Sequence, residues 1–324
     1  MRKKIIILLF GIILLFLVGC TTGNTQNSER EYHHGTQGIE FEMHGLLDKM
    51  YEGTPFQVIV QLYNKGAYDI SEAYVVMTLE NDYMQISKGE QLHAFSLAGK
   101  SLLNPVGDFS LETFDVQTKK IDKTSQYHDS VVTITACYKY MTDVITEVCI
   151  DPHFYDLSPT KKACEVKDLS LGDQGAPVAI TDVEVKMLPN GEEFVRPQFI
   201  IHVRNVGNGN VINFKDDGIK KVCTQQQLDY QNWNLVQLSS IAFNNQNYQF
   251  DALKKGKNNI ECLPDPTDKL LRLKDNEAVI RCTVAGDGIS KKEAAYLTQL
   301  YIKLDYGYIV SKSQQIHIEK QLTY

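Results

Sequence analysis

The sequence predicts an all-β protein made of two β-sandwich domains in tandem. A strand that ends in Asn-x-Gly occurs twice, as FQVIVQLYNKG from Phe56 and as PQFIIHVRNVG from Pro197. Both copies alternate apolar and polar residues with a period of two, the pattern of a half-buried strand. Short strands broken by Gly, Asn, Asp and Pro follow one another through most of the chain, as in a sandwich.

The first twenty residues have the pattern of a lipoprotein signal peptide. A basic start, Arg-Lys-Lys, precedes an apolar run of 14 residues, 5–18, which is short for a membrane span. The sequence LVGC that ends at Cys20 resembles a lipobox, so residues 1–19 are expected to be removed and Cys20 to carry a lipid. The protein is then expected on the extracytoplasmic face of the membrane. The alternative is an uncleaved N-terminal anchor.

The charge of the mature chain bears on its partners. The full sequence has 33 Lys+Arg and 40 Asp+Glu, and the signal peptide would remove three positive charges. Phosphate backbones and anionic headgroups repel such a body, so nucleic acid is not an expected partner. Contact with the membrane is expected to come from the lipid at Cys20.

The first half reads as a tether followed by a domain. Residues 20–37 are polar and without periodicity, which predicts a tether that includes His33 and His34. Residues 38–156 are predicted to form the first sandwich from GIEFEM, the Asn-x-Gly strand, AYVVMTLEND and later strands. SVVTITACYKY and VITEVCIDP are predicted to close it as a hairpin that turns at Asp143, so that this domain should fold alone.

The second half reads as a linker, residues 157–175, and a second sandwich, residues 176–324. The offset between the Asn-x-Gly strands is 141 residues, whereas the predicted closing hairpins match at 168, so the second half carries about 27 extra residues in its middle. Ser290 opens a segment with capping-box spacing, which predicts a short helix. The tyrosines that align between the closing strands, and that are expected in the core, are Tyr138, Tyr140, Tyr306 and Tyr308.

The repeated strands carry a family resemblance. VIVQLYNKGAYDI and IIHVRNVGNGNVI resemble the immunoglobulin-like modules of bacterial and archaeal surface proteins, particularly the CARDB type of cell-adhesion-related domain. NKGAYD and QGAPVAIT are also similar to uncharacterised two-domain surface proteins of archaea. The resemblance covers most of residues 38–324. It implies seven-stranded immunoglobulin-like sandwiches with an accessory role in binding or display.

The expected function is therefore non-enzymatic. We expect a lipid-anchored cell-surface protein that acts in binding, adhesion or envelope assembly, with another envelope protein or a glycan as partner. The alternative is a carbohydrate- or peptide-binding component of an envelope enzyme or transport system. Trp233, Tyr230 and Tyr248 are the candidate ligand-binding residues, because they lie in the Asn/Gln-rich middle of the second half. The alternative is that these aromatic residues cap the second core.

No cofactor, metal site or catalytic constellation is expected. Ser158 and Lys161 have the spacing of a serine acyl-enzyme motif, but no Lys-Thr-Gly element accompanies them. The acidic pairs at 216–217 and at Asp265 and Asp268 do not match a calcium-binding loop.

Six cysteines remain after Cys20, an even number that favours disulfides in an oxidising compartment. The predicted hairpin of the first half places two cysteines opposite each other, and the matching positions of the second half are Asp305 and His317. The predicted pairs are Cys137 with Cys149, Cys262 with Cys282 and Cys164 with Cys223, and the rival pair is Cys149 with Cys164.

Overall fold

A computed structural model describes residues 32–156, 162–215, 218–224, 229–253, 258–266 and 270–321. These residues belong to one compact unit, Tyr32–Tyr324. Strands form three sheets with almost entirely antiparallel pairing, so the prediction of an all-β fold is confirmed. One continuous cluster of buried apolar side chains receives residues from all three sheets.

The first half of the chain, to residue 150, forms eight strands. Their apolar residues recur every second position and face the core, as the period-two pattern predicts. The strands are β1 (Ile39–His44), β2 (Lys49–Tyr51), β3 (Pro55–Asn64), β4 (Ile70–Leu79), β5 (Met84–Lys88), β6 (Leu92–Leu97), β7 (Phe109–Thr118) and β8 (Tyr127–Ile150).

The second half adds further strands and a short helix. Its elements are β9 (Leu169–Ser170), β10 (Val178–Asn190), β11 (Phe194–Asn205), β12 (Asn210–Ile212), α1 (Gly218–Thr224), β13 (Leu235–Phe243), β14 (Tyr248–Asp251), β15 (Ile260–Leu263), β16 (Leu271–Arg272), β17 (Glu277–Val284), β18 (Ile289–Ser290) and β19 (Tyr296–Glu319).

Two of the three sheets each contain strands from only one half of the chain. The third, the shared sheet, contains strands from both halves. The first sheet has the order β1-β3-β7-β5. The second has the order β15-β17-β11-β10-β9, with β18 beside β11. The shared sheet has the order β14-β13-β19-β8-β4-β6, with β2, β12 and β16 at its margins. The first and second sheets therefore pack on different parts of the wide shared sheet.

The shared sheet is centred on the two longest strands. β8 and β19 each have 24 residues and pair along their whole length without a register shift. Lys139 lies opposite Gly307, and Tyr138 and Tyr140 lie opposite Tyr308 and Tyr306. This register gives the two strands a pseudo-twofold relation about the Lys139–Gly307 pair, the relation that the 168-residue offset expresses in sequence.

The two predicted closing hairpins are wrong, since each is one uninterrupted strand. In β8, the polar residues at the predicted turn form hydrogen bonds with residues outside the strand. Thr142 is buried, and its hydroxyl lies 2.6 Å from the carbonyl oxygen of Val178. The hydroxyl of Tyr68 donates to the Asp143 carboxylate over 2.7 Å. Polar residues are tolerated within a strand when such partners exist.

The glycine within β19 also has a packing reason. Gly307 faces α1, and a Cβ atom there would come within 2.6 Å of the Ile219 side chain. The backbone of β19 therefore approaches the helix more closely than any other residue would allow.

The Asn-x-Gly motif of the first half ties its strand to the core. β3 ends at Asn64, as predicted. The Asn64 side-chain oxygen accepts from the Gly66 amide over 3.1 Å, and its amide donates to the Tyr68 carbonyl over 2.8 Å. The Tyr140 hydroxyl accepts from the Tyr68 amide and donates to Asn64. The motif therefore closes a small hydrogen-bonded ring around one buried tyrosine.

The second half repeats this ring. β11 ends at Asn205, whose side chain accepts from the Gly207 amide over 3.3 Å and donates to the Gly209 carbonyl over 2.9 Å. The Tyr308 hydroxyl accepts from the Gly209 amide over 2.8 Å and donates to Asn205 over 3.0 Å. All four core tyrosines are at most 2% exposed, in agreement with the expectation that they are core residues.

The glycines of the two motifs are not required by a left-handed backbone conformation. Neither Gly66 nor Gly207 has a positive φ. A side chain at Gly66 would instead collide with the Tyr140 hydroxyl, and one at Gly207 with that of Tyr308. Close approach to the buried tyrosine is the reason for glycine at both positions.

Two of the disulfides correct the predicted pairing. Cys137 is bonded to Cys223 of α1, and Cys149 to Cys164, the rival pair. The predicted Cys137–Cys149 bond is wrong because both residues lie on straight β8, twelve positions apart, which is about 40 Å of strand. The predicted Cys164–Cys223 pair is also wrong, because each of these cysteines is bonded to a cysteine of β8 instead.

The third disulfide joins Cys262 to Cys282, directly opposite residues of β15 and β17, as predicted. The predicted cross-strand pair of Asp305 with His317 is wrong, since both lie on β19. His317 instead contacts the Asp129 carboxylate over 2.6 Å, and Asp305 accepts from the Ser239 hydroxyl.

The capping-box prediction at Ser290 is also wrong. Ser290 ends the short strand β18, and its hydroxyl accepts from the Lys292 amide over 3.2 Å within a turn. A side-chain cap of this kind stabilises a turn as well as a helix start. The helix of the second half lies elsewhere, at Gly218–Thr224, within the inserted middle.

Candidate functional site

The inserted middle of the second half covers the outer face of the shared sheet near its pseudo-twofold centre. Ile219 and Cys223 of α1 and Ile212 of β12 form a small buried cluster with Val76 and Cys137. The Cys137–Cys223 bond fixes the helix to the sheet. This insertion therefore forms a covalently attached cap.

Two of the three predicted ligand-binding aromatic residues belong to this cap. Trp233 is partly buried and packs against the small cluster, and it bridges to Ile212. Tyr230 is 73% exposed, and the Arg272 guanidinium lies 4.6 Å from its ring centre. Arg272 also donates to the carbonyl oxygens of Tyr230 and Trp233 over 3.1 and 2.7 Å. Trp233 thus packs on the small cluster at the outer face of the shared sheet, and Tyr230 lies at the surface beside Arg272.

The third predicted residue, Tyr248, is in a different environment. It lies on β14, and its ring stacks on that of Phe243 with 4.8 Å between centres. Tyr248 packs against the main core, whereas Trp233 packs against the small cluster. Trp233 and Tyr248 therefore pack against different clusters, and Tyr230 is largely exposed.

An open groove on the outer face of the second sheet gathers polar side chains instead. It has a volume of about 340 Å³ and runs along β9, β10 and β11. A register shift between Ile180 and Asp182 places Asp182 directly opposite both His202 and Ser170. Such bulges commonly re-aim a side chain beside a site. The lining residues are Asp168, Leu169, Ser170, Asp182, Val183, Glu184 and His202.

The polar groups of this groove form a connected chain. The His202 ring lies 3.1 Å from the Glu184 carboxylate, and the Lys186 ammonium lies 3.2 Å from the same carboxylate. Lys186 also lies 3.4 Å from Asp168, which accepts from the Val185 backbone amide over 2.9 Å. These contacts connect four side chains, and they form without a ligand.

The electrostatics keep one carboxylate of the groove charged. Hydrogen bonding from His202, and then from Lys186, lowers the pKa of Glu184. The bond to Glu184, followed by the contact with Asp168, raises the pKa of Lys186. Carboxylate oxygens accept hydrogen bonds from hydroxyl groups and pair with cations. The groove is therefore suited to a hydroxyl-rich or basic ligand.

A second groove, of about 430 Å³, lies beside the Cys149–Cys164 bond. The Lys162 ammonium lies 2.7 Å from the Asp151 carboxylate and 2.8 Å from the His153 carbonyl oxygen. Asp151 is only 2% exposed, so this ion pair and the disulfide together attach the start of the predicted linker to the end of β8.

The remaining residues named from sequence have simple positions. Among the residues that the structure describes, no three His, Cys, Asp or Glu side chains are grouped as metal ligands. His33 stacks on Tyr68, and His34 contacts Asp173, so the predicted tether already touches the body there. Positions outside the described ranges include those of Cys20, Ser158, Lys161, Asp216, Asp217 and Asp268.

The groove residues had no signal in the sequence. Asp168 lies in a predicted linker, and Glu184 and His202 are 18 residues apart in two strands. Their proximity follows from the pairing of β10 with β11 and from the bulge, and neither feature corresponds to a motif.

Comparisons with known proteins do not identify the chain. No family model matches it. No curated protein matches it either. In the part of the chain that the structure describes, no helix is both long and apolar enough to cross a membrane.

Proposed function

We propose that this chain is a lipid-anchored, extracytoplasmic surface protein that acts as a non-enzymatic binding or adhesion module. The lipobox pattern at Cys20 supports the anchor. Three disulfides support an oxidising compartment outside the cytoplasm. In this proposal residues 38–156 and 176–324 are immunoglobulin-like sandwiches of the CARDB type, fused along β8 and β19.

The open groove around Glu184 and His202 is the observation that carries the binding role. Its polar side chains stand on paired strands and are already connected by hydrogen bonds, so a ligand loses little by ordering them. The groove is shallow, and its donors and acceptors are those that recognise hydroxyl groups or basic side chains. We therefore propose a glycan or a basic peptide segment of another envelope protein as the ligand.

The alternative function, a ligand-binding component of an envelope enzyme or transport system, uses the same groove. The two differ in what happens after binding, because a transport component delivers its ligand to a membrane complex. Co-purification of a stable membrane complex with the full-length protein would favour the alternative.

A glycan and peptide array probed with the full-length protein tests the binding role. We expect saturable binding that is weakened about tenfold by Glu184→Gln or His202→Gln, since each removes a charge-assisted hydrogen bond of the groove. Glu80→Gln is the matched control, because Glu80 pairs with His128 over 3.1 Å in the first half. Equal binding by all variants would show that the groove is not the site.

The anchor has its own test. Metabolic labelling with a fatty acid should mark the wild type and should not mark Cys20→Ser. An unlabelled wild type would contradict lipid attachment and leave the uncleaved N-terminal anchor as the explanation.

A further inference from the structure

One end of the first sandwich carries an exposed apolar tip. The loop between β6 and β7 contains Leu102, Leu103 and Val106, which are 58%, 98% and 68% exposed. β7 then begins with Phe109 and continues to Leu111, each 56% exposed. Large apolar side chains that are exposed singly are ordinary, but five of them within ten residues form a patch that marks an interaction surface.

The tip is held in a defined shape. Ser101 and Asn104 exchange backbone hydrogen bonds across a tight turn, with distances of 2.9 and 3.2 Å. The Asp108 carboxylate accepts from the Phe109 amide over 2.9 Å, which secures the other end of the loop. The turn therefore projects Leu102 and Leu103 outward as a convex apolar point.

The surroundings of the tip match the interface of a bilayer. The Phe109 ring lies 6.2 Å from that of Tyr63, and the Lys65 ammonium lies 4.6 Å from the Tyr63 ring centre. Lys100 stands at the start of the loop. Tyrosine and lysine beside an apolar point are typical of the membrane–water boundary, where their polar ends stay hydrated.

The chain enters the compact unit beside this tip. The Lys100 ammonium lies 3.4 Å from the His34 carbonyl oxygen, and the Gly35 amide donates to Asp173 over 2.7 Å. Tyr32 follows Cys20 by twelve positions, and an extended chain spans at most about 3.6 Å per residue. A lipid on Cys20 would thus keep the body within about 40 Å of the bilayer.

We propose that the apolar tip at Leu102 and Leu103 inserts into the outer surface of the membrane that holds the protein, and so fixes the orientation of the body. This inference rests on the proposed membrane anchor. One lipid group at the end of a polar tether leaves a body free to rotate, and a second, apolar contact removes that freedom. The outer face of the second sheet would then keep a constant direction relative to the membrane.

Tryptophan quenching tests the insertion in the full-length protein reconstituted into phosphatidylcholine vesicles. Trp233 is the only tryptophan, so Trp233→Phe gives a silent background. Leu103→Trp in that background should be blue-shifted and quenched by lipids with a spin label in the acyl chain. Leu253→Trp is the matched control, because Leu253 is 88% exposed in the second half.

We expect the quenching slope of Leu103→Trp to exceed that of Leu253→Trp by about threefold. Equal slopes would overturn the proposal. A blue shift of Leu103→Trp that rises with protein concentration without vesicles would also overturn it, because the tip would then bind a second copy. Fatty-acid labelling of the same samples reports the anchor separately, so an unlabelled but quenched protein would contradict lipidation and support insertion.

Discussion

The two halves of the molecule share their buried polar network and differ in what surrounds it. Asn64 and Asn205 make the same bonds to a tyrosine of the shared sheet and to the turn that follows their strand. The residue four positions after the asparagine differs, with Tyr68 in the first half and Gly209 in the second. The network is thus the part of the scaffold that both halves repeat, and a residue bonded to it differs between them.

A larger structural difference accompanies this one. The Tyr68 side chain fills the space above Tyr140 and reaches Asp143. Gly209 leaves no side chain at the equivalent place, and β12 and α1 follow it and cover the outer face of the shared sheet. The first half therefore completes its scaffold with a side chain, whereas the second completes it with an inserted segment.

The largest expected effect comes from separating the halves. Residues 32–156 alone should fail to melt cooperatively as a monomer, because all 24 residues of β8 lose their β19 partners and expose an unpaired edge. The earlier expectation that this half folds alone depended on a closing hairpin that does not exist. Calorimetry with size-exclusion chromatography is the measurement, and a stable cooperative monomer would contradict the prediction.

The disulfides come next. Cys137→Ala with Cys223→Ala opens an 86-residue loop and should lower the free energy of unfolding by about 4.5 kcal/mol. Cys262→Ala with Cys282→Ala opens a 20-residue loop and should cost about 3 kcal/mol. Chemical denaturation of the two double variants measures the difference. A smaller loss for the longer loop would show that the cap is held by packing rather than by its bond.

The repeated network gives a direct comparison of the halves. Asn64→Ala should destabilise by about 3 kcal/mol, because Asn64 is fully buried and leaves several groups without partners. Asn205→Ala should cost about 1 to 2 kcal/mol, since that side chain is partly exposed and water can replace it. Urea denaturation measures the two changes in the free energy of unfolding. Equal changes would show that exposure does not distinguish the hydrogen-bonded networks of the two halves.

Alkaline pH should destabilise the protein through the tyrosine hydroxyls of the same hydrogen-bonded networks. Burial raises the pKa of Tyr308 to about 12 from an ordinary 10, and it also raises the pKa of Tyr140. Between pH 10 and 12 the unfolded chain releases the Tyr308 proton that the folded protein keeps. The free energy of unfolding therefore falls as pH rises. Tyr308→Phe should reduce the loss between pH 10 and 12 by about 2 to 3 kcal/mol. Thermal unfolding across this range measures the slope, and an unchanged slope would contradict the assignment.

The smallest expected effect concerns surface pairs. A double-mutant cycle between His317 and Asp129 should give a coupling of about 0.5 kcal/mol, as for other exposed pairs. A cycle between His317 and Asp305, the pair predicted from the hairpin register, should give no coupling. Coupling in the second cycle alone would restore the hairpin register.

Much of the scaffold followed from local pattern. The period-two strands β3 and β11, the core tyrosines and the Cys262–Cys282 pair all depend on residues whose alternation or spacing is visible in the chain. The 168-residue offset was also correct as an alignment. Its interpretation as two hairpins failed because Thr142 and Asp143 resemble turn residues unless their tertiary partners are known.

The candidate site was beyond sequence reasoning for a related reason. A lone tryptophan attracted attention to the insertion, yet Trp233 packs as part of a cap. Glu184 and His202 look like ordinary outward-facing strand residues, and only the bulge before Asp182 brings the groove together. Register shifts depend on how two strands are paired, which local composition does not reveal.

The pairing of β8 with β19 also constrains how the protein is made. Tyr127 lies opposite Glu319, so the contacts that complete the shared sheet join residues almost 200 positions apart. Contacts this distant close slowly, because a long segment must be ordered before they form. During synthesis β8 emerges long before its partner, with one edge and its tyrosines uncovered. The nascent chain therefore needs protection from aggregation until β19 has been added.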